Sequence, residues 1–191
     1  MFVMTVDQRR SRRDHDRVPA LLDHFSGAAL LRPFERTAGD EVQAVSADAD
    51  QVVDIALDLA ATGAWSVGIG VGPVETPLPE STRAGRGPAF EAARTAVERA
   101  KNLPGSIAVG GRSAAADAEA ALMLLALTVS RRSEAGRAAV AAARSGLTQA
   151  ETAERLGISK QAVSQRLSVA GWQAEQAGRR LATRLLEDAD R

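Results

Sequence analysis

The sequence has no cysteine, few aromatic residues and no long apolar run, and each absence excludes a class of structure. Without cysteine the chain can form neither a disulfide nor a thiolate metal site, which suits a reducing compartment. No apolar segment approaches the length of a membrane span, and the first residues lack the basic-then-apolar order of a signal peptide. We therefore expect a cytoplasmic protein with no membrane partner. Because aromatic residues make up only 3% of the chain, small side chains must fill much of the core.

Common catalytic and metal-binding patterns are also missing. The only histidines are His15 and His24, with no cysteine to complete a ligand set, so surface or capping roles are expected for both. Neither a P-loop nor a Ser-His-Asp pattern is visible. The basic run Arg9–Arg13 could meet phosphate or nucleic acid, but the neighbouring Asp14 and Asp16 favour a solvated, neutralised loop.

The hydrophobic pattern changes at residues 110–113, and we expect a domain boundary there. Before it, the apolar residues indicate the order strand, helix, strand, strand, helix, strand, helix, strand, which is typical of an α+β fold. The segment 74–87 contains several prolines and glycines and is expected to be disordered. Beyond residue 113 proline is absent and the pattern is wholly helical. We therefore predict an α+β domain over residues 1–112 and an all-α domain over residues 113–191.

The segment at about 147–168 has the spacing of two helices joined by a tight turn. Gly157 falls at the turn, where a left-handed backbone suits glycine, and Ser159 can cap the following helix. Val163 and Leu167, four residues apart, then face the core. The segment resembles the helix-turn-helix of many bacterial repressors and of the sigma-factor C-terminal domain. A plain helical hairpin with a glycine turn is the alternative.

Polar and basic side chains occupy the outward positions of this segment. Glutamine can pair with adenine edges, arginine and lysine with guanine, and serine with phosphate. No acidic residue lies between Gly157 and Gly171, and residues 131–191 carry 11 Lys and Arg against 7 Asp and Glu. Residues 1–130 carry 13 against 17. We therefore predict that double-stranded DNA contacts Thr148, Gln149, Ser159, Lys160, Gln161, Ser164, Gln165 and Arg166.

The last predicted helix, at about 172–186, has an apolar stripe that closes the core or pairs with a second copy. The stripe consists of Ala174, Ala177, Leu181 and Leu185. We expect a homodimer, because one helix-turn-helix rarely gives enough contact for tight specific binding. Three arginines beside the stripe could reach phosphate, namely Arg179, Arg180 and Arg184.

The N-terminal part resembles the palm of class III nucleotide cyclases and GGDEF proteins, a ferredoxin-like sandwich, with one extra unit. The resemblance rests on Asp7 at the end of the first strand, on residues 36–42 (RTAGDEV) in a hairpin, and on residues 65–72 and 87–94. The whole chain is similar to the SatD family of bacterial proteins, whose members often carry a C-terminal helix-turn-helix. That match rests on Asp7 with Ser11 and Arg12, on residues 39–44 (GDEVQA), and on residues 87–90 with Ala93.

The resemblance implies that Asp7 and Asp40 hold divalent ions, Mg or Mn, that bridge the triphosphate of a nucleotide. It places Arg36 where many adenylyl cyclases have a base-reading lysine, and Arg94 at an arginine of the cyclase helix. The asparagine expected four residues before that arginine is Phe90, and an apolar ring cannot orient a ribose. A strand-end cap and a turn residue are the alternative roles of the two aspartates. Arg36 is also a candidate cation for this carboxylate pair.

Together these patterns predict a DNA-binding transcriptional regulator whose degenerate cyclase-like domain senses a ligand or mediates dimerisation. We assign no catalytic residue, and we expect the palm to bind a metal ion or nucleotide without turning it over. An active metal-dependent nucleotidyl cyclase, or a related phosphotransfer enzyme, is the alternative hypothesis. A structural assembly protein is a third.

Overall fold

A computed structural model describes residues 1–11 and 14–191 as a five-stranded mixed sheet with eight α-helices. Arg12 and Arg13 lie outside the described residues. Both belong to the basic run, and Arg12 also belongs to the motif on which the SatD resemblance rests. Strands β1 to β5 span Phe2–Gln8, Arg32–Ala38, Glu41–Ser46, Trp65–Val71 and Ile107–Gly110. Helices α1 to α8 span Val18–His24, Ala49–Thr62, Pro88–Ala100, Ala115–Ser130, Glu134–Arg144, Gln149–Leu156, Lys160–Val169 and Trp172–Asp190. The predicted α+β class and the predicted order of elements are confirmed.

The strands lie in the order β2-β3-β1-β4-β5, so the first strand occupies the centre of the sheet. β1 pairs antiparallel with β3 and β4, β2 pairs antiparallel with β3, and β4 pairs parallel with β5. The β2–β3 hairpin turns at Gly39 and Asp40, as predicted, and Gly39 has a φ of +58°, which glycine adopts without a Cβ clash. Because Asp7 pairs with Glu41, the end of β1 lies beside this turn.

One face of the sheet carries the main apolar core. Alternate residues of β1 and β4 point to this face, as the two-residue period of a strand requires, and α1 and α2 supply further apolar side chains. Helices α4 and α8 join the same cluster through side chains that include Leu122, Leu125 and Leu186. The apolar core is therefore continuous across residue 112, where we expect the domain boundary.

The opposite face of the sheet is covered by α3 at very short range. A Cβ on Gly70 would lie 1.9 Å from the Ala89 carbonyl oxygen, and one on Gly68 would lie 2.2 Å from the Val97 nitrogen. Only glycine therefore fits at these two positions of β4 unless the helix moves. Phe90, also on α3, packs in a small cluster with residues of β1 and β3.

The segment 74–87 is tied to β2, so the prediction that it is disordered is wrong. Buried Thr82 donates its hydroxyl to the Pro33 carbonyl oxygen at 2.7 Å. The Ser81 hydroxyl donates to the Glu35 carboxylate at 2.8 Å. The prolines and glycines here mark an irregular but hydrogen-bonded course along the sheet edge.

Helix α8 packs through a different stripe from the one predicted. Its buried residues are Glu175, Arg179, Ala182, Leu186 and Ala189. Of the predicted stripe, Leu185 packs against the core, whereas Leu181 is 43% exposed. The two stripes are offset by one residue, which rotates the helix by about 100° about its axis. None of the helices in the described residues is both long and apolar enough to cross a membrane.

Candidate functional sites

Helices α6 and α7 and the turn between them carry the predicted DNA contacts. Helix α6 ends at Leu156, Gly157 has φ 64° and ψ 36°, and α7 begins at Lys160. The Ser159 hydroxyl accepts a hydrogen bond from the Ala162 backbone N–H at 3.2 Å. The predicted left-handed glycine and the predicted serine cap are both confirmed.

The first turn of α6 is closed by a capping box between Thr148 and Glu151. The Glu151 N–H donates to the Thr148 hydroxyl at 3.3 Å, and the Thr148 N–H donates to the Glu151 carboxylate at 2.8 Å. The Thr148 hydroxyl also donates to that carboxylate at 2.7 Å. These hydrogen bonds lower the pKa of Glu151. Thr148 is exposed, but its hydroxyl proton is already in use, so donation to a phosphate requires the capping box to open.

The outward face of α7 is exposed and, apart from Val169 at its end, polar or basic. Val163 is fully buried beneath it, and Ala153 of α6 is 7% exposed. Half-buried apolar residues complete this interior, namely Leu147, Leu156, Ile158 and Leu167. The exposed predicted contacts are Gln149, Ser159, Lys160, Gln161, Ser164 and Gln165, and Arg166 is half-buried. Most of the predicted contact residues are therefore exposed to solvent.

A buried ion-pair cluster connects the start of α5 to α8. No pattern in the sequence indicated it. The Glu175 side chain is 0% exposed and pairs with Arg132, between α4 and α5, and with Arg179, one turn further along α8. The Arg179 Nε donates to the Glu175 carboxylate at 2.7 Å, and the Arg132 Nε donates to the Ala170 carbonyl oxygen at 2.9 Å. Burial alone would raise the pKa of Glu175, but its hydrogen bonds to the two guanidiniums lower it. Glu175 is therefore ionised. It holds Arg132, which in turn connects the start of α5 to the end of α7 through its hydrogen bond to Ala170.

Two further ion pairs join helices α5 and α8 to α2. Arg179 also pairs with Asp54, and Arg144 at the end of α5 pairs with Asp58 at 2.6 Å. Arg179 is 8% exposed, so our expectation that it could reach phosphate is wrong. Its guanidinium is held by two carboxylates, the buried one of Glu175 and the half-exposed one of Asp54.

Asp7 lies at the end of β1 on the face covered by α3, with a lysine beside it. The Lys101 Nζ is 3.3 Å from the Asp7 carboxylate and 2.8 Å from Glu98. Burial raises the pKa of Asp7; Lys101 opposes this rise, and the nearby Asp40 carboxylate adds to it. Burial works to lower the pKa of Lys101, but Glu98 and Asp7 together raise it. The end of β1 therefore lies beside the hairpin turn that carries Asp40, and Lys101 supplies a cation next to Asp7.

The two arginines assigned from the cyclase resemblance lie elsewhere. Arg36 pairs in register with Val42, whose side chain points into the main core, so Arg36 is on the opposite face of the sheet from Asp7. Its guanidinium contacts Asp16 at 2.6 Å, and the role of cation beside Asp7 falls to Lys101. Arg94 is exposed on α3 and does not line the cavity beside Asp7.

A cavity of about 500 Å³ opens beside Asp7 at this end of the sheet. Its described lining consists of Asp7, Gln8, Arg9, Arg10, Ser11, Ser66 and Lys101. Within the described part of the chain, no group of three or more His, Cys, Asp or Glu residues could hold a metal ion. With a lysine ammonium already at the Asp7 carboxylate, the two aspartates do not fit a two-metal centre of the cyclase type.

The sequence prediction missed Ser66 and Lys101 as members of this site. Ser66 follows the first residue of β4 and pairs in register with Asp7. Lys101 directly follows α3. A polar residue in an otherwise apolar strand, and a lysine at a helix end, were the only signals available.

No protein-family model, curated protein or solved structure matches this chain. Its function is therefore inferred from its own residues.

Proposed function

We propose that this protein is a DNA-binding transcriptional regulator in which α6 and α7 form a helix-turn-helix and α7 enters the major groove. The observation that carries the proposal is the exposed face of α7, which is free of acidic residues and, apart from Val169 in its last turn, polar or basic. Helix α7 follows the left-handed Gly157, begins at the Ser159 cap and packs through buried Val163. This combination suits a recognition helix, because its first residues present amides and a lysine to base edges and phosphates.

The N-terminal part is proposed to be a ferredoxin-like palm that senses a ligand or mediates dimerisation in the cytoplasm. The antiparallel order β2-β3-β1-β4, with helices between β1 and β2 and between β3 and β4, supports this assignment, and β5 is the extra unit. The same features support the resemblance to cyclase-like palms and to the SatD family. Ion pairs from α2 to Arg144 and Arg179 would transmit a change in this part to the helix-turn-helix.

A homodimer is proposed because two recognition helices can read two half-sites. Half-sites about one helical turn apart, roughly 34 Å, are then expected on the duplex. Exposed Leu181 on α8 and Leu124 on the adjacent α4, the latter 64% exposed, are available to meet a second copy.

The enzyme hypothesis is favoured by one feature, the proximity of the Asp7 and Asp40 carboxylates. Two features disfavour it. Phe90 is packed in an apolar cluster, and Lys101 pairs with Asp7. Incubation with ATP or GTP and manganese discriminates the two hypotheses: cyclic nucleotide or another phosphotransfer product would support the enzyme.

Selection of bound duplexes from a random-sequence DNA pool tests the proposed function. The full chain should enrich one sequence, with two related half-sites at the spacing given above. A pool that remains unenriched after repeated selection, with correctly folded protein, would contradict DNA-sequence recognition.

A further inference from the structure

The cavity beside Asp7 contains a buried hydroxyl without a hydrogen-bond partner. The Ser66 side chain is 0% exposed, lines the cavity, and its Oγ is the only buried side-chain polar atom without a partner among the described residues. A buried polar group without a hydrogen-bond partner destabilises the folded protein. A ligand oxygen that accepts a hydrogen bond from the Ser66 hydroxyl would explain why this atom has no partner in the protein.

Cationic side chains line the same cavity as this hydroxyl. Among the described lining residues, Arg9, Arg10 and Lys101 are cationic and Asp7 is the one carboxylate. Arg9 is positioned by its backbone N–H, which donates to Ala64 O at 2.8 Å, and by its guanidinium, which donates to the Ser106 hydroxyl at 2.7 Å. The lining therefore has an excess of positive charge held on a fixed backbone.

Arg10 adds a strained backbone to the same site. Its φ of +61° lies in the left-handed region, which costs energy for a residue with a Cβ. The conformation turns the chain just after β1 and keeps exposed Arg10 in the cavity lining. A glycine would adopt this turn more readily, but it would bring no charge.

The charge in this cavity comes from side chains rather than from a metal centre. Lys101 lies 3.3 Å from Asp7, and the described residues offer no cluster of three potential metal ligands. We propose that this cavity binds a small phosphate-bearing anion directly on Arg9, Arg10, Lys101 and Ser66, without a divalent ion. The site itself is independent of DNA binding; its role as the sensor of a regulator rests on the proposed function.

Calorimetric titration with inorganic pyrophosphate in excess EDTA tests the inference. The wild type should show saturable binding under these metal-free conditions. Arg10→Ala and Lys101→Met should each weaken it about tenfold, the expected loss of one charge-assisted hydrogen bond. Ser66→Ala should weaken it less. Arg94→Ala, which removes an exposed arginine outside the cavity, is the matched control and should bind like the wild type.

Three results would overturn the inference. The first is an absence of binding by the folded wild type, and the second is binding that requires magnesium and is lost in Asp40→Asn. The third is a Lys101→Met variant that loses affinity for duplex DNA as strongly as for pyrophosphate, since the cavity would then belong to a nucleic-acid surface. Arg10→Ala keeps the test decisive if Lys101→Met fails to fold, because Arg10 is exposed. DNA binding by the wild type, measured separately, stands or fails independently of these outcomes.

Discussion

The carboxylate of Glu175 and the guanidinium of Arg132 form an ion pair in the interior, with the two side chains 0% and 6% exposed. Arg132 precedes α5 and also donates to the carbonyl oxygen of Ala170, the residue directly after α7. Glu175 in turn holds Arg179, which reaches Asp54 on α2. One buried carboxylate therefore connects the proposed recognition helix to the helix layer on the sheet.

Removing this carboxylate should destabilise the protein strongly. Glu175→Ala leaves the buried Arg132 guanidinium without a carboxylate and leaves Arg179 with Asp54 alone, so we expect the free energy of unfolding to fall by about 3–5 kcal/mol. Urea denaturation measures it, with exposed Glu187→Ala on the same helix as the control. Replacing Arg132, Glu175 and Arg179 together by Met, Leu and Met should restore most of the loss, because no buried charge then remains unpaired. A Glu175→Ala protein as stable as Glu187→Ala would show that the ion-pair cluster contributes nothing to the free energy of unfolding.

Asp7 should reduce stability at neutral pH. Its pKa is raised in the folded protein, so the fold binds a proton more readily than the unfolded chain. Stability then decreases as pH rises through the interval between the ordinary and the raised pKa, and it stays lower above that interval. We expect Asp7→Asn to raise the melting temperature at pH 7, with the difference vanishing in acid below the ordinary pKa of about 3.9.

Asp14 provides a control of opposite sign for this experiment. Its pKa is lowered by a hydrogen bond from Arg17, so Asp14→Asn should not raise the melting temperature at neutral pH. Equal effects of the two substitutions would contradict the assignment of Asp7 as a carboxylate that destabilises the fold at neutral pH.

The close contact of α3 with β4 should not tolerate a methyl group. A Cβ at position 70 would overlap the Ala89 carbonyl oxygen, so Gly70→Ala must displace backbone rather than a side chain. Overpacking of this kind costs about 1–3 kcal/mol or more. Gly27→Ala is the control, because a Cβ there meets nothing within 4 Å. Thermal unfolding of both variants decides the point, and a Gly70→Ala protein as stable as Gly27→Ala would refute the packing.

Much of this fold can be predicted from the sequence because the local signals agree with the final structure. Gly157 and Ser159 fixed the ends of two helices, and the Gly39-Asp40 turn fixed the hairpin. Short runs rich in apolar residues identified the strands. In each case the deciding interaction lies within a few residues along the chain, where sequence spacing is informative.

The phase of α8 could not be predicted in this way. Apolar spacing favoured the stripe through Leu181, but the helix buries Glu175 and Arg179 instead. Charged residues become interior only when distant partners, here Arg132 and Asp54, are brought beside them. Hydropathy along one helix carries no information about such partners. The pairing of Lys101 with Asp7 is hidden for the same reason, since 94 positions separate them.

The proposed homodimer can be tested at the exposed surface of α4 and α8. If Leu124 and Leu181 meet a second copy, Leu124→Asp with Leu181→Asp should give a monomer, because charges buried at an interface are costly. Light scattering at high micromolar concentration, with and without DNA, reports the mass. A wild type that is monomeric under both conditions would contradict the proposed homodimer.

The most direct test of α7 as a recognition helix is the affinity of the full chain for a duplex containing its selected site, measured by fluorescence anisotropy over a series of salt concentrations. We expect an affinity that falls steeply with salt. Gln161→Ala should cost about 1–3 kcal/mol and relax base preference, whereas Arg166→Ala should weaken binding evenly across sequences. Gln173→Ala, an exposed glutamine on α8, should bind like the wild type. Salt-independent or undetectable binding, or equal behaviour of Gln161→Ala and Gln173→Ala, would contradict α7 as the recognition helix.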